Sequence, residues 1–180
     1  METLEKTTTI KNWTLDKAHA KIGFGITHML VSEVEGSFKT FDIKLNVPNE
    51  DFSGAEIDFT ADINSIDTAN EMRDAHLKAK DFFHAEQNPM ISFKSKSFAK
   101  LADKRYALNG DLTFNGVTNN INLDVTGNVV NHPIKKGTMI AGFKVKGEVK
   151  RSDYNLAPAT PVVILGEDIG ITANVEFIAE

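Results

Sequence analysis

Apolar and polar side chains alternate along most of the chain, and this pattern restricts it to amphipathic strands. Ile22, Phe24 and Ile26 alternate with glycine or polar residues, and Phe41, Ile43, Leu45 and Val47 alternate with Asp42, Lys44 and Asn46. Ile57, Phe59, Ala61 and Ile63 repeat the pattern, and Ile91 and Phe93 continue it with Lys94 and Lys96 out of phase. Tyr106, Leu108, Leu112 and Phe114 form a further set, then Ile121, Leu123 and Val125. Phe143, Val145 and Val149 follow, and Ile169, Ile171, Ala173, Val175 and Phe177 finish the series. The pattern predicts eight or nine strands, each with one apolar and one wet face. Such strands belong to antiparallel sheets, because parallel sheets are buried on both faces. They bury their apolar faces together only in a sandwich or a closed barrel.

Turn signals fall at Glu35-Gly36, Pro48-Asn49, Asn115-Gly116, Lys136-Gly137 and Gly166-Glu167-Asp168. The clearest is TFNGVT, whose Asn115-Gly116 pair supplies the positive φ angles of a two-residue hairpin. Gly23 and Gly25 lie opposite the Phe24 face; they mark a sharp bend or the close approach of another segment. Gly110, Gly127, Gly142 and Gly147 are candidates for the same role. One segment, Asp67 to Pro89, breaks the rhythm: Met72, Ala75 and Ala79 follow helical spacing, with Asp67, Thr68 or Asn70 as its cap. The expected architecture is an all-β antiparallel barrel of about eight strands with one helix inserted around residues 70–83. Without repeats or linkers, residues 12–180 read as one domain behind a flexible N-terminal segment, residues 1–11.

A chain of 180 residues is long enough for a full core. The net charge of −5 argues against a nucleic-acid partner, which needs a basic footprint. With no cysteine, thiol catalysis, disulfides and thiolate metal sites are excluded. No stretch approaches the ~18 apolar residues of a membrane span. METLEKTTTIKNW holds no signal-like apolar run, so the expectation is a cytoplasmic protein as encoded, or a periplasmic one if Met1 begins a signal-stripped domain.

The five histidines are His19, His28, His76, His84 and His132. On one regular strand His19 and His28, nine apart, point to opposite faces, and His76 and His84 are eight apart, so neither pair suits a metal. No metal site is expected. There is no Gly-x-Ser-x-Gly elbow and no phosphate loop. Arg151 and Asp153, two apart in KRSDYNL, suggest a charge-assisted pair that either closes one barrel end or grips a polar ligand head. Trp13, the only tryptophan, is a candidate end plug stacked on an arginine.

Several stretches together resemble the YceI-like family of lipid- and polyisoprenoid-binding bacterial proteins. They are WTLDKAH, IGFGITHM, VEGSFKTF, INSIDT, RDAHLKAKDFF, NPMISF, NGDLTFNGVT, RSDYNL and DIGITANVE, in an order that covers roughly residues 12 to 178. Tyr154-Asn155 departs from the Phe-Gly that members often carry after the aspartate. The resemblance implies a lipocalin-like antiparallel barrel around a long hydrophobic pocket. It also implies non-catalytic binding, transport or sequestration of a polyisoprenoid, an isoprenoid quinone or a fatty-acid-like lipid, with no cofactor.

A ten-residue strand spans about 33 Å, and each CH₂ moved out of water is worth about 0.8 kcal/mol, so a long tail can be held without a catalytic group. The residues expected to line a continuous bore are Phe24, Ile26, Phe41, Ile43, Ile57, Phe59, Phe93 and Leu108, with Leu112, Leu123, Phe143, Val145, Ile171 and Val175. Leu77, Phe82 and Phe83 are expected at a lid or mouth. Two other readings remain. One is an enzyme on the same lipids using His28 or His76 with Asp153 or Asp74; the other is a stress-linked interaction domain with a solid core. A homodimer, paired through edge strands or a pocket mouth, is compatible with all three readings.

Overall fold

The computed structural model describes residues 12–179, so the segment expected to be flexible, residues 1–11, lies outside the described residues. The strands are β1 (Trp13–Leu15), β2 (Lys21–His28), β3 (Ser32–Phe38), β4 (Phe41–Asn46), β5 (Glu56–Asp62) and β6 (Ile66–Asp67). After the helix α1 (Glu71–Lys78) come β7 (Met90–Ala102), β8 (Arg105–Phe114), β9 (Val117–Asn131), β10 (Met139–Lys150) and β11 (Leu165–Ala179).

All pairings are antiparallel, in the order β1-β4-β5-β7-β8-β9-β10-β11, and β1 also pairs with β11 to close an eight-stranded ring. This is the lipocalin-like barrel with one helix that the sequence led us to expect. The strands missed by periodicity are the short or polar ones: β1, β3 and β6. β3 reads SEVEGSF, and its buried residues are confined to Ser37 and Phe38.

The ring is asymmetric because β11 changes partner along one edge. Its residues Phe177, Ile178 and Ala179 pair with β1, whereas Leu165 to Asn174 pair with β2. A 3-10 turn at Lys17–His19 carries the chain from one partner to the next. β2, β3 and β6 therefore leave the ring as a flap on one end of the barrel. The flap is tied back where Lys39 N donates to the Ser65 carbonyl (3.1 Å), Thr40 N to Ser65 Oγ (2.9 Å) and Asp62 N to the Thr40 carbonyl (3.0 Å).

Two expected turns are strand interior instead. Gly36 sits in β3 opposite Phe24, whose ring occupies the space a β-carbon there would take. A bulky residue at 36 would displace that ring, which explains a glycine in mid-strand. Gly166-Glu167-Asp168 lies in β11 at a register shift between Leu165 and Ile169, a bulge rather than a turn. Asn115-Gly116 is the hairpin expected, with φ of 50° and 74°.

α1 ends at Lys78, short of residue 83, and Asn70 is its cap, with Oδ1 accepting from Arg73 N at 2.9 Å. The apolar face expected from Met72, Ala75 and Ala79 is not the packed one: Met72 is 84% exposed and no α1 residue is buried. Polar contacts hold the helix instead. Asp74 accepts from Thr68 N (2.9 Å) and Oγ1 (2.5 Å), while Arg73 Nε donates to Thr68 Oγ1 (2.8 Å). Beyond the helix, Phe83 is buried against Phe114 (centroids 5.9 Å) and Phe82 is half-buried beside His76.

The two barrel ends are closed differently. At the β1 end Trp13 packs on Phe52 (5.2 Å), not on an arginine, and Phe52 packs on Phe143 (5.3 Å). Phe98, Tyr106 and Phe177 surround Phe143 and complete an aromatic floor. At the other end, the segment after β10 folds across under the control of Arg151, which is 3% exposed. Its guanidinium donates to the carbonyls of Leu156 (3.3 Å), Ala157 (2.7 Å), Thr160 (2.6 Å) and Gly166 (3.0 Å). Its acidic neighbour is Glu167 (3.8 Å), while Asp153 is exposed and contributes its carbonyl to Asn119, so the Arg151–Asp153 pair does not form. The reason is local: residues 151–154 turn into a 3-10 helix, so the strand spacing that put both on one face ends at Lys150. Replacing Arg151 with Met strips several buried carbonyls of their donor. It should lower stability by about 3 kcal/mol or more, read as a lower urea midpoint at unchanged slope.

Candidate functional site

Two apolar cavities lie inside the barrel. The upper, of about 120 Å³, lies beneath α1 and the β2–β3 flap. Phe24, Ile26, Phe59, Phe82, Phe83, Leu112 and Ile171 of the expected lining reach it, together with Leu77 from the helix. The lower, of about 70 Å³, sits on the aromatic floor. Ile43, Ile57, Leu108, Phe143, Val145 and Val175 reach that one. Three expected lining residues reach neither: Phe93 and Leu123 are buried between the cavities, and Phe41 packs half-buried at the core's edge. Where one continuous bore was expected, the two cavities share no lining residue.

Periodicity missed Leu156 and Leu165 in the upper wall. Leu156 is carried by the irregular segment pinned under Arg151 and Leu165 by the start of β11 before its bulge, so neither shows a clean alternation. Ile22 carried a signal in the alternation of β2, whereas Phe38 lies at the end of β3, which shows none; both are buried.

Among the described residues, no ionisable side chain lines either cavity. His76 Nε2 is 3.0 Å from Asp81 Oδ2, Asp74 is engaged by Thr68, and none of His28, His76, Asp74 and Asp153, the groups named for an enzyme reading, lines either cavity. Tyr154, 1% exposed, stacks on Phe114 with centroids 3.9 Å apart and planes 12° apart. Burial pushes its phenol up to about 12, against a smaller downward pull from Asn119. Asn155 takes a left-handed conformation (φ 52°, ψ 31°), which Asn tolerates nearly as Gly does, so Tyr154-Asn155 preserves the turn.

One polar cluster escaped the sequence reading. Asp16, His19 and Glu176 bring three possible ligand atoms within 4.8 Å of one another on the outer wall, where the chain passes from β1 to β2. Periodicity has no means of pairing a turn residue with β11. His19 Nδ1 lies 2.8 Å from Asp16 Oδ2, and Asp16 N donates to the Glu176 carbonyl at 2.8 Å.

The geometry defines a class: an antiparallel barrel closed at one end, with an apolar interior and a helical strap over the other. The sequence profile of the YceI-like domain matches residues 13–177, and the chain belongs to that family. UPF0312 protein SA2479 of Staphylococcus aureus (strain N315) is 38% identical over 170 residues, covering 92% of this chain and 96% of its own. The crystal structure of the Campylobacter jejuni YceI protein is 36% identical with a TM-score of 0.76, covering 91% of this chain and 95% of that one. A polyisoprenoid-binding domain from Saccharophagus degradans, implicated in plant cell wall breakdown, shares the fold. It is 14% identical with a TM-score of 0.64, covering 94% of this chain and 99% of that one.

The hydrogen bond to Asp16, then the charges of Asp16 and Glu176, hold His19 above its ordinary 6.5. The same hydrogen bond is the main reason that Asp16 is held below its ordinary 3.8. His19 therefore stabilises this corner fully below pH 6.5, and the contribution fades as pH rises through its raised folded value. Asp16 contributes above 3.8 and fades as pH falls through its lowered one. An NMR titration should place His19 above 6.5, and Asp16→Asn should bring it down; an unshifted His19 in the native protein contradicts the pairing.

Proposed function

We propose that the protein binds the hydrocarbon tail of an isoprenoid or acyl lipid in the upper cavity and carries or sequesters it without catalysis. The observation that carries this reading is a cavity walled, among the described residues, by apolar side chains and glycine, and roofed by Leu77 of α1 and by Phe82 in the turn that follows it. A strap fixed by polar contacts to Thr68 rather than by core packing can lift without dismantling the core. Membership of the YceI-like family supports the reading, as does the fold shared with a domain described as polyisoprenoid-binding. The absence of acid, base or nucleophile in the lining favours binding over turnover.

Size limits what enters first. An engineered apolar cavity of about 150 Å³ takes up a benzene ring, so the upper cavity at about 120 Å³ has room for a ring-sized hydrocarbon segment. A longer tail requires the strap to shift or further space to open below.

The test is native mass spectrometry of protein purified without delipidation, followed by reloading with a prenol. Bound mass matching an isoprenoid or acyl lipid is expected. Ile171→Arg, which puts a charge into the upper wall, should weaken prenol binding about tenfold or more while circular dichroism shows an intact barrel. A wild-type protein that retains no lipid and takes up no prenol refutes the proposal.

A further inference from the structure

What separates the two cavities is thin and specific. On β8, Leu112 lines the upper cavity and Leu108 the lower, and the inward residue between them is Gly110. On β10, Val149 lines the upper and Val145 the lower, and the inward residue between them is Gly147. The wall is therefore bare on two strands at the same depth. A β-carbon at Gly110 would run into the Phe93 ring, and one at Gly147 into Leu123 Cδ2. Phe93 and Leu123 occupy the room those glycines leave and line neither chamber.

On two other strands the wall passes from chamber to chamber without a break. On β11, Ile171 faces the upper and Ala173, the next inward residue, the lower. On β5, Phe59 faces the upper and Ile57 the lower. The divider is thus a pair of side chains, Phe93 of β7 leaning over Gly110 of β8 and Leu123 of β9 leaning over Gly147 of β10.

We propose that Phe93 and Leu123 form a waist that sets the tail length the barrel accepts. With both seated over their glycines, a tail ends in the upper chamber. When either swings away, the chambers join into one bore that reaches the aromatic floor. Side chains have discrete staggered positions, so the change is a switch between two depths rather than a gradual yielding. Phe93 and Leu123 are specificity-determining residues by this reading, which rests on the lipid-carrier function above.

The experiment measures binding of geraniol, farnesol and geranylgeraniol, each one isoprene unit longer than the last, to the full chain by displacement of a fluorescent fatty acid. In the wild-type protein, affinity should level off before the longest prenol. Leu123→Ala should continue to gain, binding geranylgeraniol at least about tenfold tighter than wild type does, since five more carbons leave water. Phe93→Leu, a gentler change, should move the same way by a smaller factor and covers the case in which Leu123→Ala does not fold. Adding Ala173→Phe to Leu123→Ala refills the lower chamber and should abolish the gain. If the wild type binds prenols and both folded waist variants keep its length profile, the waist is overturned while the carrier function stands. If the wild type binds no prenol of any length, the carrier function falls and takes the waist with it.

Discussion

Everything inside the barrel depends on how the backbone donors and acceptors along one edge of β11 are satisfied. A strand of fifteen residues needs a partner along its length, and no single neighbour supplies it. β1 covers three residues and β2 covers the other end, with a 3-10 turn between them. An unpaired edge would expose a row of hydrogen-bonding groups, so the relay is what makes the ring closed rather than open. It also forces the asymmetry. Where β1 serves, the wall meets β4 and closes tightly; where β2 takes over, the sheet continues into β3 and β6 and departs from the ring. The space left under the departing flap is the upper cavity.

That space is kept apolar and kept open by different means. Its walls come from strand alternation, which places one side chain in two inward. Its roof comes from a helix anchored through Thr68, Arg73 and Asp74, which turns Leu77 toward the cavity and leaves Met72 outside. The irregular segment that supplies Leu156 keeps its course because Arg151 gathers carbonyls from four residues. A cation this deeply buried is tolerated because the carbonyl dipoles and Glu167 replace its water.

The barrel, its single helix and most of its inward residues were legible because a side-chain period of two leaves a direct mark on the sequence. What was not legible has a physical reason in each case. Gly36 looks like a turn but is a packing glycine, and only the cross-strand register to Phe24 distinguishes the two. Arg151 and Asp153 looked paired because two-residue spacing means a common face on a strand, and the strand stops one residue earlier. The division of the interior was invisible because alternation says which side chains point inward and nothing about whether they meet. Phe93 and Leu123 satisfy the same pattern as Leu112 and Leu108 and play a different part.

The floor of packed rings from Trp13 through Phe52 to Phe143 makes the barrel a cul-de-sac. Whatever enters past the strap must back out the same way, last in and first out, so its buried tip is the part that water meets last. Under the proposed carrier function, delivery is then a handover at one doorway, on the strap side of the barrel, rather than a passage through the far wall.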